Sequence, residues 1–299
     1  MLILAIPSLA KAEVEGRIFV VLSESGRAYR DVADAFSAAV ARKYPIQVSQ
    51  VDELQAADIV RMDTAGSLIV PIGVKAMRWA YELHPARASI LSLMVPQATA
   101  AAVNGDSGMA GRESAIYIDQ PLSRSLAFIR LLLPQAERVG LILSDETSAR
   151  LPAYRQEMAR NKLSMVVETV SSSLGVPRAL QNLLPKVDVF LMMPDSKVVN
   201  ENTVRHILLA SYRQQIPVIG FSRGLTNAGA VAAVVSDPVA IGHEGGLLAR
   251  LWNPVSGSIP GPRYASEYAL VINHQVARSL GVEFPEDGQD LIRWRKAIE

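Results

Sequence analysis

The sequence predicts an α/β protein built as two doubly wound parallel-sheet lobes, and three observations carry that expectation. Strand-length runs that are continuously apolar, rather than alternating, recur along the chain, as they do in strands buried on both faces of a parallel sheet. Segments of helical periodicity separate these runs and give a β-α-β-α order. The series stops near Asp119-Gln-Pro121 and begins again, so the 299 residues hold two such series, which suits the length of two lobes.

In chain order, Arg17-Ile-Phe-Val-Val-Leu22 is the first apolar run and ends in Ser23-Glu24-Ser25-Gly26. Residues 29–44 follow with Val32, Ala35, Phe36, Ala39 and Val40 at helical spacing, stopped by Pro45. Further strands are expected at 46–51, 67–73, 89–95 and 114–118, with a helix through Trp79 and Leu83 after the third strand. In the second series Pro121 suits the first turn of a helix over 121–133. Strands are then expected at 138–143, 163–170, 187–193, 216–221 and 230–235, with helices at 148–161, 176–184, 198–214 and 240–251. Leu225-Thr-Asn-Ala-Gly229 is read as a loop running into the strand at 230–235. Gly242 and Gly246, four apart in the last of these helices, point to close helix packing, and a turn-rich stretch at 253–262 precedes a final strand at 268–272.

Composition removes several function classes. Thirty Lys+Arg against 29 Asp+Glu leave a net charge of +1, with no polybasic run to hold nucleic acid. Cysteine is absent, which removes disulfides, thiolate nucleophiles, zinc–cysteine sites and iron–sulfur clusters. The first twelve residues, with an apolar core followed by Ala10-Lys11-Ala12, read as the remnant of a secretory signal peptide. A lipid anchor would need a cysteine, so the exported form is expected to be free in the periplasm.

No catalytic set emerges. Gly220-Phe-Ser222-Arg-Gly224 formally matches the nucleophile elbow of an α/β-hydrolase, with Asp237 and His243 or His274 following in the required order. That elbow must join a strand to a helix, whereas the reading here has it lead into a strand. The four histidines lack metal-ligand spacing. Asp145-Glu146 reads as a solvated turn or helix cap rather than a catalytic pair. Neither phosphate-binding glycine motif occurs. No cofactor and no metal are therefore expected.

Ligands of parallel α/β sheets sit beyond the carboxyl ends of the strands. The loops at 23–26, 73–75, 96–99, 144–147, 194–197 and 222–227 are accordingly the ones to watch. Within or beside them Ser23, Glu24, Gln97, Asp119, Asp145, Asp195, Ser222 and Arg223 are the candidate pocket residues.

The segment Tyr268-Ala-Leu-Val-Ile-Asn-His-Gln-Val-Ala-Arg-Ser-Leu-Gly-Val-Glu-Phe-Pro285 resembles the C-terminal signature of a family of ABC-transporter substrate-binding proteins, which includes tryptophan- and tyrosine-type binding proteins. Leu68-Ile-Val-Pro-Ile-Gly73, Leu133-Pro-Gln-Ala-Glu-Arg-Val-Gly-Leu-Ile142 and Lys186-Val-Asp-Val-Phe-Leu-Met-Met-Pro-Asp195 resemble further segments of that family, in the same order. The resemblance covers roughly residues 17–285 and implies a type I periplasmic-binding fold with a three-crossover hinge, expected near 118–120, 235–238 and 263–267. The lobes would then comprise 13–118 with 238–264, and 119–237 with 265–299. It also implies that Asp195 is the second-lobe acid facing a ligand amine and that Gly73 and Val74 give a first-lobe backbone contact. One departure stands out: where amino-acid-binding members carry Asp-Pro after the fourth strand, this chain reads Val95-Pro96-Gln97-Ala98.

The expected function is capture of a small ligand, an amino acid or a related polar solute, by hinge closure of a monomer that hands it to an ABC permease. The alternative is a periplasmic sensor subunit of the same fold, signalling to a membrane kinase or cyclase; behind it stands a serine hydrolase at Ser222.

Overall fold

The computed structural model describes residues 16–105, 108–284 and 288–298; residues 1–12, read above as a signal-peptide remnant, lie outside them. The first half runs β1 (Arg17–Leu22), α1 (Arg27–Val40), β2 (Ile46–Gln50), α2 (Ala56–Met62), β3 (Ser67–Ile72), α3 (Val74–Glu82), β4 (Ser89–Val95), α4 (Gln97–Asn104) and β5 (Glu113–Tyr117). Next come α5 (Leu122–Leu132), β6 (Arg138–Ser144), α6 (Asp145–Ser148), α7 (Leu151–Arg160), β7 (Ser164–Val170), α8 (Val176–Leu183), β8 (Val189–Leu191), α9 (Val204–Arg213), β9 (Val218–Gly220), α10 (Arg223–Ala228) and β10 (Ala232–Ser236). The chain finishes with α11 (Pro238–Ala249), β11 (Arg263–Tyr264), β12 (Tyr268–Ile272), α12 (His274–Ser279) and α13 (Gly288–Ala297).

Two six-stranded sheets result, ordered β11-β5-β4-β3-β1-β2 and β12-β10-β9-β8-β6-β7. The continuous apolar runs explain the centres of both: β3 and β4 are buried along their whole length because helices cover both faces. Val32, Phe36, Ile241 and Leu248 of α1 and α11 pack with Val20, Val70 and Leu91 on one face of the first sheet. Met62, Met77 and Ala100 of α2, α3 and α4 pack with Val21, Ile69 and Ile90 on the other. In the second sheet α5, α7, α12 and the end of the chain cover one face, and α8, α9 and α10 the other.

Gly242 and Gly246 do set α11 close against α1. A Cβ on Gly242 would stand 2.3 Å from the Val32 carbonyl oxygen, and one on Gly246 would stand 2.4 Å from the Ala39 Cβ. The chain therefore returns from β10 to cover the first sheet, adds β11 beside β5, and goes back to add β12 beside β10.

Several details correct the expectations. β12 runs antiparallel to β10, so the second sheet is mostly rather than wholly parallel. The helix expected over 198–214 begins only at Val204. Before it, the side chains of Asp195 and Thr203 accept the Lys197 and Asn200 amides at 3.0 and 3.1 Å, competing with helical hydrogen bonds. Residues read as a loop after Ser222 form α10, so β9 does lead into a short helix. Among the described residues no helix is long and apolar enough to cross a membrane.

Candidate interlobe binding site

Parallel pairing puts the carboxyl ends of β1, β3, β4 and β5 at one edge of the first sheet, and those of β6, β8 and β9 at one edge of the second, and ligands of such sheets sit beyond those ends. On the first side, Ser23 follows β1 and is buried, and its hydroxyl accepts the Ala76 amide in the first turn of α3 at 2.9 Å. Gly73 lies between β3 and α3 with φ +88°, a left-handed conformation that favours glycine. A Cβ there would meet the Tyr29 ring at 2.6 Å and the Ser23 hydroxyl at 2.8 Å, so this wall is a tight backbone surface. Val74, partly buried, opens α3. Glu24 is exposed beside Tyr29, whose phenol is pushed up by burial and then by the Glu24 charge.

The end of β4 is irregular. Its register to β5 shifts between Leu93 and Val95, and Met94 takes φ +56°. Such a bulge re-aims the chain, here into Pro96 and the first residue of α4, Gln97. The Gln97 amide is met by Asp119: Oδ1 accepts it at 2.8 Å. Asp119 is buried, and desolvation pushes its carboxyl up to about 6, against the opposing pull of the Gln97 amide and the Arg150 charge.

The junction between the lobes is built around these two residues. The Tyr264 hydroxyl donates to Gln97 Oε1, and its ring stands edge-on to Tyr117 with centroids 5.5 Å apart. Arg150, from the loop between α6 and α7, donates to the same Tyr264 hydroxyl at 3.3 Å and lies 5.3 Å from the Tyr154 ring centroid. Burial pushes the Tyr154 phenol up to about 12, opposed by the Arg150 charge. Arg150, Tyr154, Tyr264, Glu157 and Pro121–Ser123 surround a cavity of about 220 Å³.

Asp195 is buried at the second-lobe loop after β8. Its Oδ2 accepts the Ser144 amide at 2.8 Å and the Thr147 hydroxyl at 2.6 Å, and its Oδ1 accepts the Lys197 amide at 3.0 Å. Both oxygens are thus engaged inside the second lobe, fastening the loop after β8 to the end of β6. Asp145 is exposed and pairs with Lys197 Nζ at 2.6 Å. Ser222 caps α10, its hydroxyl accepting the Leu225 amide at 3.2 Å, and Arg223 is exposed on that helix. Asp237, the acid of the formal hydrolase order, caps α11 through the Val239 and Ala240 amides at 2.9 and 3.1 Å. His243 lies exposed on α11, while His274 stacks on Phe284 at 4.6 Å.

The structure therefore joins Gln97 with Asp119, Ser23 with the Gly73 turn, and Asp195 with the β6 end that carries Asp145. Ser222 and Arg223 make no hydrogen bond to the other candidates among the described residues. Sequence reasoning missed Tyr117, Arg150, Tyr154 and Tyr264. Arg150 lies three residues beyond the loop singled out after β6, and Tyr264 lies in a segment read only as a crossover; polar residues flanking those segments were the available signal.

Where the chain passes between sheets it is stitched by side chains. Gln120 Nε2 donates to Ser236 Oγ at 2.5 Å and to the Ala265 carbonyl at 3.4 Å, and Ser236 Oγ donates to the Ile118 carbonyl at 2.7 Å. Arg124 also reaches Gln120 Oε1 and the Ala265 carbonyl, with its guanidinium 4.3 Å from the Tyr268 ring centroid. All three passages are thereby held in one seam. A larger cavity of about 610 Å³, near Leu132–Ala136, Asp188 and Pro217, lies at the opposite, amino ends of β6, β8 and β9.

Comparison with known proteins bears on this geometry. The family model of ABC transporter substrate binding proteins matches residues 38–289. No curated protein matches the chain. Among solved structures, an ABC domain in complex with L-Trp from Streptococcus pneumonia is 14% identical, with a TM-score of 0.67 over 93% of this chain and 98% of its own. The ligand-free, open structure of a substrate binding protein with adhesive properties from Clostridium difficile is 15% identical, with a TM-score of 0.69 over 91% of this chain and 97% of its own. A conserved domain protein from Vibrio cholerae is 18% identical, with a TM-score of 0.67 over 93% and 97%. At these identities the likeness is one of fold.

Proposed function

Because the chain belongs to the ABC transporter substrate-binding protein family, we propose that it captures a small polar solute, of the amino-acid class or close to it, between its two lobes and presents it to an ABC permease. The observation that carries this reading is the polar junction at the carboxyl ends of the strands, where Gln97 and Tyr264 of the first lobe meet Asp119 and Arg150 of the second. We take the lobes to be 13–118 with 238–264, and 119–237 with 265–299, turning about the seam of Gln120, Ser236 and Ala265. Closure on that seam would bring the first-lobe groups at Ser23, Glu24, Gly73 and Val74 toward the second-lobe loops that hold Asp145, Asp195, Ser222 and Arg223. Polar groups from both sides then replace the water around the solute, which offsets the cost of ordering it. A closed, solute-bound form differs in shape from the open one, and that difference is what a permease can read. The reading places the protein outside the cytoplasm as a monomer, with residues 1–12 as the remnant of an export signal.

The test is a thermal-shift panel of amino acids, short peptides, sugars, polyamines and nucleosides on protein stripped of bound solute by partial unfolding. A solute at about 100 times its dissociation constant adds roughly 2.7 kcal/mol, several degrees for a protein of this size. Stabilisation by a member of the panel, together with compaction in small-angle scattering, is the expected result. A protein that no small solute stabilises would contradict capture.

A further inference from the structure

Resting on the reading of the junction as a solute site, we propose that Arg150 is the receptor for an anionic group of the solute, a carboxylate, and so selects the charge class of what the protein binds. Arg150 sits just before α7 with its backbone at φ −90° and ψ 0°, on the second-lobe side of the junction. Its side chain is partly buried, yet its single hydrogen bond among the described residues is the 3.3 Å contact to a neutral hydroxyl, that of Tyr264. A guanidinium offers five N–H donors in a planar fork, so most of its capacity stands open. No carboxylate among the described residues lies within 4.0 Å of it.

Arg124, also at the junction, is differently placed: it is taken up by Gln120 Oε1, the Ala265 carbonyl and the Tyr268 face. Glu157, on the rim of the same cavity, is engaged by Arg160 at 2.6 Å. Asp119 meets the Gln97 amide rather than the guanidinium. The cavity of about 220 Å³ in front of Arg150 is walled by Tyr154, Tyr264, Pro121 and Leu122, and is small beside typical ligand pockets of roughly 300–1,000 Å³. It suits one end of a solute rather than a whole one. A carboxylate there can take two parallel N–H bonds from the fork in place of the long hydroxyl contact. A neutral group of the same shape cannot, and leaves donors unpaired when the lobes close.

The experiment compares carboxylates with their own carboxamides. L-Tryptophan, L-glutamate, indole-3-propionate and succinate are titrated calorimetrically, each against its amide, on the wild type and on Arg150→Gln and Arg150→Lys. The unliganded melting temperature and near-ultraviolet circular dichroism of each variant serve as controls of folding. The expected result is at least one carboxylate bound tenfold or more tightly than its amide by the wild type. Arg150→Gln then loses that preference, and Arg150→Lys restores part of it. Carboxylates and amides bound equally by the wild type, or a preference untouched by Arg150→Gln, overturn the assignment of Arg150 and leave solute capture standing. Binding of none of these probes and of none of the broader panel overturns both. The wild-type comparison decides the proposal even where a variant folds poorly.

Discussion

The Asp119 carboxylate accepts the Gln97 backbone amide at 2.8 Å, tying the end of β5 to the first turn of α4. That contact bears on the one place where the chain departs from the amino-acid-binding pattern. The loop Val95-Pro96-Gln97-Ala98 carries no acid, yet a carboxylate reaches the same loop from the next strand. Burial holds this carboxyl at about 6, so it titrates close to neutrality.

The pH dependence follows from the sign of that shift. The folded state holds its proton up to about 6, while the free side chain loses it near 3.8. The stabilising contribution of the protonated form is full below the lower value and lost as pH rises through the upper one. Holding the charge above about pH 6 costs on the order of 3 kcal/mol. Asp119→Asn, whose amide oxygen still accepts from Gln97, is expected to raise the melting temperature at pH 7.5. The gain should shrink steadily as pH falls from 7 to 4; a gain independent of pH would contradict the assignment.

Gly73→Ala places a methyl against Tyr29 and Ser23 at a left-handed φ. We expect a loss on the order of 3 kcal/mol, read in urea denaturation, with solute binding lost in protein that remains folded at low temperature.

Gly242→Ala and Gly245→Ala should differ although they are three residues apart on α11. The first new Cβ meets the Val32 carbonyl at 2.3 Å, which is backbone; the second meets Leu93 side-chain atoms at 2.7 Å and beyond, which have more room to turn. A cost of about 3 kcal/mol against about 1 kcal/mol is expected from denaturation midpoints. Equal costs would mean that α1 and α11 separate readily.

Ser222→Ala removes the cap of α10. About 1 kcal/mol of stability should go with it, while solute affinity stays within a few-fold of wild type. Esterase assays on p-nitrophenyl acetate should give equal rates for the two proteins; a rate that falls with the hydroxyl would bring back the nucleophile reading.

Much of the architecture was legible in the residues themselves. Continuous apolar runs such as Leu68–Ile72 and Ser89–Val95 identify strands covered on both faces, because no residue along them can face water. Gly242 and Gly246 disclose a close helix contact, though not that its partner is α1. Short helices escaped: α4 is alanine-rich without a polar face, and α10 is six residues long with Gly224 inside it. For such segments position in the fold outweighs local preference.

The site was less legible, for a physical reason. Order of elements, strand direction and the loops at the strand ends follow from local pattern, and these led to Ser23, Gln97, Asp119, Asp145 and Asp195, while Gly73 came from the family resemblance. Whether a polar group there is engaged or open depends on partners far along the chain. Asp195 takes donors at Ser144 and Thr147, about fifty positions away, whereas Arg150 meets Tyr264 at a separation of 114. The sequence by itself determined two doubly wound lobes and which loops follow their strands, since burial pattern is a local property. Only the tertiary structure decided which charge is satisfied and which keeps donors open, since hydrogen bonds form between residues that folding, not adjacency, brings within 3 Å or so of each other.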